Sequence, residues 1–163
     1  MIEIFLLSII QGITEFLPIS SSSHLILVAE YLEFENQSLS IDVSLHIGSF
    51  LAVIIYFFSD IRDFFKNKIV FYKIFLSSLP IMFVGFFFVE FDLISKFRNI
   101  ETIAWTTVVF GILLYISDKF KVEKSFQEDL DFKSVLVIGL MQILSLVPGV
   151  SRSGIAITAA RLL

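Results

Sequence analysis

The sequence predicts an all-α integral membrane protein, and three observations lead there. The 163 residues are 56% hydrophobic, with 20 phenylalanines and a mean hydropathy of +0.90, too apolar to keep enough polar surface for water. Charges gather between apolar segments close to the length a bilayer requires. Two further pairs of apolar segments are shorter and broken by proline and serine, and irregular backbone at membrane depth survives only where protein or a wet cavity borders it. The expected architecture is a polytopic helical bundle with two re-entrant helix-loop-helix hairpins in an inverted-topology repeat, residues 1–163 forming one transmembrane domain.

The elements follow in order. Met1 to Leu17 and Ser20 to Leu32 each read as a helix short for a core of about 30 Å, so they form the first hairpin. Pro18 removes a backbone donor and restricts Leu17, which stops the first helix. Glu30, Glu33 and Glu35 mark a solvated exit. Ile41 to Phe58 is a full span, Asp60 to Lys73 a basic loop, and Ile74 to Val89 a span back. Phe91 to Glu101 is a short loop, Thr102 to Ser117 a third span, and Asp118 to Lys133 a second basic loop. Ser134 to Val147 and Pro148 to Leu163 form the second hairpin.

Charge orients this set. Arg62, Lys66, Lys68 and Lys73 lie in one loop and Lys119, Lys121, Lys124 and Lys133 in the other, so both are expected in the cytoplasm and the acidic exit outside. Three spans between the hairpins make them enter from opposite faces, with their polar tips meeting near the midplane. Setting Pro18 against Pro148 aligns Gln11 and Gln142 upstream and serines downstream. A net charge of -4, small and scattered, offers nothing for nucleic acid. The absence of cysteine excludes disulfides, thiol catalysis and thiolate metal sites. No cleavable secretory signal is visible, and the first helix is expected to serve as the insertion signal.

Chemistry concentrates in Gln11 to His24 (QGITEFLPISSSSH) and Pro148 to Thr158 (PGVSRSGIAIT). Ionisable groups in apolar segments are expensive and usually functional. Ser20 to Ser23 and Ser151 are suited to cap the helices that follow, whose first N–H groups and dipole ends attract anions. With the guanidinium of Arg152, these features describe an anion site, phosphate being the natural ligand.

The stretches EFLPISSSSHL and PGVSRSG, with VSLHIGSFLAV at Val43 to Val53 between them, resemble the bacterial undecaprenyl-diphosphatases of the bacitracin-resistance type. These integral membrane enzymes dephosphorylate the C55 lipid carrier of cell-wall synthesis. The resemblance covers essentially the whole chain. It implies hydrolysis of undecaprenyl diphosphate to undecaprenyl phosphate and inorganic phosphate in the bacterial inner membrane, with bacitracin resistance as a consequence. Glu15 is then a ligand for Mg²⁺ or Ca²⁺ or a proton-transfer group. His24 is the nucleophile or the acid or base serving a serine or water, and Ser21 is the alternative nucleophile. Arg152 grips the diphosphate, with a salt bridge to Glu15 as its other expected partner. Gln11, Ser22, Ser151, Ser153 and Thr158 are substrate contacts. His46, four residues after Asp42, is read chiefly as a local pair with that aspartate, and Arg161 as an interfacial side chain.

Three departures stand out. The family usually carries two glutamates four apart where this chain has Gln11 and Glu15, and a threonine where it has Ala156. Family chains also continue well beyond the second motif, so the resemblance implies that 1–163 lacks the C-terminal spans, with a homodimer as the other source of cover for the second hairpin. Two readings stand beside the hydrolase: a polyprenyl-phosphate carrier or flippase, since a site between inverted hairpins is transporter architecture, and a truncated, non-catalytic fragment. The combination of Glu15, Ser21, His24 and Arg152 favours the enzyme.

Overall fold

The computed structural model describes residues 2–34, 38–120 and 131–163. Within them the chain is all-helical: α1 (Ile2–Thr14), α2 (Ser21–Tyr31), α3 (Leu39–Tyr56), α4 (Phe58–Lys66), α5 (Lys68–Glu90), α6 (Leu93–Phe97), α7 (Ile100–Asp118), α8 (Phe132–Gln142) with a 3₁₀ turn at Ile143–Leu146, and α9 (Arg152–Leu162). Glu35, Lys121 and Lys124 lie outside the described residues.

Among the described residues, three helices are long and apolar enough to cross a membrane: α3, α5 and α7, of 18, 23 and 19 residues. Their faces are studded with exposed phenylalanine, isoleucine and leucine, the surface expected where lipid is the solvent. α1 and α2, of 13 and 11 residues, reach only about 20 and 16 Å at 1.5 Å per residue. The first pair therefore falls short of a core about 30 Å thick. The 11 residues of α9 behave likewise.

Two expected loops contain helices instead. Asp60 to Lys73 is not a loop: α4 fills its first half and α5 begins at Lys68. Phe58, Ile61, Phe64 and Phe65 recur at helical spacing, and Phe64 and Phe65 pack on Phe71 of α5 with ring centroids 5.7 and 5.5 Å apart. Asn67 then caps α5 by accepting from the Val70 N–H at 3.3 Å. Phe91 to Glu101 likewise holds α6, after which Asn99 caps α7 at Thr102 N, 2.8 Å away.

Close backbone approach fixes the second short pair. α8 packs on α5 at Gly139, where a Cβ would collide with the backbone of Ser77. α9 packs on α7, and Gly149 just before it has φ +96 with no room for a side chain beside Thr106. Thr106 Oγ1 donates to the Pro148 carbonyl at 2.7 Å, tying the turn to the span. Arg161 is not a free interfacial side chain: it donates to the carbonyls of Ser117 and Asp118, at 3.3 and 2.7 Å, and pairs with the Asp118 carboxylate at 3.0 Å. A cation there satisfies the orphan carbonyls and negative dipole end of α7.

The turns of the two short pairs touch. The Gly149 N–H donates to Ser20 Oγ at 3.3 Å, and Ser153 Oγ donates to the Leu17 carbonyl at 3.4 Å. A Cβ on Gly154 would sit 3.2 Å from the Pro18 carbonyl oxygen. The sequence expectation that the two polar tips meet is met at this level of contact.

Candidate functional site

The meeting of the turns encloses a cavity of about 350 Å³, bordered by Glu15, Ser20 to Ser22, His46, Gln142, Ser145 and Ser151 to Ser153. Both polar motifs thus contribute to one wall-to-wall site. Among the described residues its sole acid is Glu15, just past the end of α1 where the chain turns towards Pro18.

One carboxylate oxygen of Glu15 gathers the first motif. Oε2 accepts from Ser21 Oγ at 2.6 Å and from Gln11 Nε2 at 3.0 Å, and it lies 3.4 Å from His46 Nε2. Gln11 is 1% exposed; its Nε2 also reaches Ser49 Oγ at 3.4 Å, and its Oε1 is buried without a hydrogen-bond partner among the described residues. Gln11 and Glu15 are one turn apart on one helix face, as i,i+4 spacing demands. The other carboxylate oxygen, Oε1, makes no hydrogen bond among the described residues and stays available to a ligand.

The second motif supplies the positive side. Ser151 caps α9 by accepting from the Gly154 N–H at 3.1 Å and contacts Ser153 Oγ, also at 3.1 Å. Arg152, the first residue of α9, is exposed at the cavity and makes no ion pair among the described residues. The expected salt bridge with Glu15 is not formed, leaving the guanidinium free for an anion. The serines of the first motif behave differently from Ser151. Ser20, at the N-cap of α2, makes no capping hydrogen bond; its hydroxyl accepts from Ser23 Oγ at 2.9 Å and from Gly149 N, so it joins the hairpins rather than capping the helix.

Two predicted site residues lie elsewhere. His24 donates from Nδ1 to the Ser20 carbonyl at 2.8 Å and lines a second cavity of about 280 Å³ with Thr107, Phe110 and Thr158. Thr158 is 2% exposed and spends its hydroxyl on the Gly154 carbonyl at 2.8 Å. Neither borders the Glu15 cavity, while Gln11, Glu15, Ser21, Ser22, Ser151, Arg152 and Ser153 are all in it or in direct contact with it. The residue undervalued from sequence is His46. It does not pair with the Asp42 side chain, whose carboxylate is taken by Arg98 at 2.6 Å. Its Nδ1 bonds the Asp42 carbonyl and its Nε2 faces Ser21 and Glu15. The signals in the sequence were an imidazole in a largely apolar span and its place within VSLHIGSFLAV, one of the stretches that carry the family resemblance.

A family model described as bacitracin resistance protein BacA matches residues 4–163. The chain belongs to this family. A curated relative from Pelagibacter ubique (strain HTCC1062), named undecaprenyl-diphosphatase, is 51% identical over 162 residues, covering 99% of this chain and 63% of the relative. Another of the same name, from Jannaschia sp. (strain CCS1), is 39% identical over 174 residues, covering 98% of this chain and 65% of the relative. The chain thus spans a little under two thirds of the length of these BacA-family relatives.

Among the described residues no group of three or more His, Asp or Glu side chains gathers to hold a metal. The Glu15 carboxylate oxygen that makes no hydrogen bond among the described residues suits a hard cation that takes most of its shell from a phosphate ligand, whereas the Gln11 amide oxygen is buried and does not border the cavity.

Proposed function

We propose that this chain hydrolyses undecaprenyl diphosphate, releasing inorganic phosphate and undecaprenyl phosphate, and so recycles the carrier of peptidoglycan synthesis in the bacterial inner membrane. Bacitracin resistance follows from keeping free diphosphate low. The observation that carries the reading is Ser21 Oγ held 2.6 Å from Glu15 Oε2 in a cavity that Arg152, without an ion pair among the described residues, also borders. A hydroxyl set against a carboxylate is prepared for attack, and a cation bordering the same cavity is where a terminal phosphate would bind. A polyprenyl-phosphate carrier would need the cation but not the nucleophile.

In this reading Arg152, Ser151 and Ser153 bind the diphosphate, helped by the N-terminal end of α9. Ser21 presents its oxygen to the terminal phosphorus. Mg²⁺ or Ca²⁺ would be held by Glu15, with Gln11 beside it, and would neutralise charge developing on the phosphoryl oxygens. The short pairs α1–α2 and α8–α9 enter the bilayer part-way as an inverted repeat, and the site opens sideways to lipid. The test is phosphate release from a long polyprenyl diphosphate with Mg²⁺ or Ca²⁺ present. Folded chain should release it well above membranes lacking the protein; a rate equal to that control refutes the activity.

Position 11 separates a one-carboxylate from a two-carboxylate mechanism. Gln11→Glu places a second carboxylate where the amide now donates to Glu15 at 3.0 Å in a 1% exposed position. Two like charges so close cannot both stay ionised easily, so the rate should be unchanged or lower. A gain of several-fold in phosphate release would instead assign a second acid or base to this position, since such a group contributes about 10²- to 10⁴-fold.

A further inference from the structure

α4 takes no part in the candidate site and carries a pattern of its own. Its nine residues, FSDIRDFFK, advance by about 100° each, so Phe58, Ile61, Phe64 and Phe65 fall within an arc of about 120°. An apolar stripe of that width is what a helix normally buries. Here no residue of the helix is buried. Phe64 is half-covered by packing on Phe71 of α5, while Phe58 and Phe65 remain 63% and 59% exposed. One residue, Phe57, separates α4 from α3, and one, Asn67, separates it from α5. The open aromatic edge is therefore continuous in the chain with two spans whose apolar faces are left to lipid.

Charge is arranged about that edge. Going round the helix, Arg62 and Lys66 come next to Phe58 and Phe65, whereas Asp60 and Asp63 lie on the far side. Lys66 Nζ bonds the Asp63 carboxylate at 2.8 Å. Arg62 and Lys68, the latter opening α5, are exposed and make no ion pair among the described residues. Tyr56 at the end of α3 and Tyr72 in the second turn of α5 are exposed as well, and tyrosine at the end of a span marks headgroup depth. A bilayer surface meets all three features at once, with acyl carbons for the phenylalanines, interfacial depth for the tyrosines and anions for the cations.

We propose that α4 lies flat in the membrane interface and is a docking surface for anionic lipid headgroups. Phe58 and Phe65 enter the upper acyl region, and Arg62 and Lys68 meet the phosphate groups of lipids such as phosphatidylglycerol. Each such cation favours an anionic surface by about fivefold. The attraction is confined to a Debye length and is weakened by salt. None of these residues borders the Glu15 cavity, so the proposal stands whether or not the chain hydrolyses a diphosphate.

The test moves the chain's single tryptophan: Trp105→Phe removes it from α7, and Phe65→Trp places a fluorescent reporter on the open edge of α4. The chain is reconstituted into phosphatidylcholine vesicles holding a minority of lipid brominated near the headgroup end of its acyl chains. Brominated phosphatidylglycerol should quench the reporter several-fold more than brominated phosphatidylcholine does. Adding Arg62→Gln and Lys68→Gln should bring the two lipids level, and high salt should narrow the gap. Quenching by neither lipid would put α4 in water and overturn the docking; equal quenching before the cations are removed would overturn the preference for anions. Should the reporter chain not fold, hydrogen exchange of the unsubstituted chain decides. Amides of residues 58–66 should exchange several-fold more slowly in vesicles containing phosphatidylglycerol than in phosphatidylcholine alone, and equal rates refute the proposal.

Discussion

Glu15→Gln is expected to abolish phosphate release. Glutamine matches glutamate in size and its amide oxygen can still accept from Ser21, so the turn between α1 and α2 should hold. What disappears is, among the described residues, the only carboxylate bordering the cavity. Ser21 loses its charged acceptor at 2.6 Å, His46 Nε2 loses the carboxylate 3.4 Å away, and the site loses the anionic charge proposed to hold a divalent cation. A single positioned acid or base is worth about 10²- to 10⁴-fold, and on the proposed reading this carboxylate combines more than one such role. The drop should reach the detection limit in a single-turnover assay. The control is an unfolding temperature close to wild type, since Glu15 is on the cavity surface rather than in the core. An active, folded Glu15→Gln protein would remove the centre of the assignment.

Most of the fold was legible because membrane helices announce themselves by composition. The three spans were expected within a few residues of α3, α5 and α7, the largest shift being the six-residue earlier start of α5. That start and α4 were hidden because Arg62, Lys66, Lys68 and Lys73 read as a loop by charge, while the helical spacing of Phe58, Ile61 and Phe64 was outweighed. Within the site, Glu15, Ser21 and Arg152 were legible because each is a polar group placed beside a helix break in an apolar stretch. The partition between the two histidines was not. His24 follows four serines and looks like part of their cluster, yet helical geometry turns its ring back to the Ser20 carbonyl and away from Glu15. His46 is 31 residues beyond Glu15 in sequence, so only tertiary packing of α1 on α3 brings them within 3.4 Å. Local patterns report which face a residue occupies, but not which other helix meets that face.

Arg152→Ala should show the second-largest loss, a fall of about 10²- to 10³-fold in kcat/KM, the range found on removing one preorganised group that stabilises transition-state charge. The side chain makes no ion pair or hydrogen bond among the described residues, so its removal leaves no buried partner behind and the unfolding temperature should not move. That combination, a large kinetic loss without a stability loss, is what separates a substrate ligand from a packing residue. Arg152→Lys sharpens the test. Lysine keeps the charge but replaces a planar fork of donors with a point charge, so it should recover part of the loss, mainly in KM. Full recovery would show that charge alone is needed, whereas none would show that the two parallel hydrogen bonds of the guanidinium carry the recognition. Wild-type kcat/KM in Arg152→Ala would mean that the diphosphate does not seat between α9 and Glu15, and that the cavity joining the two motifs is not where phosphate is released.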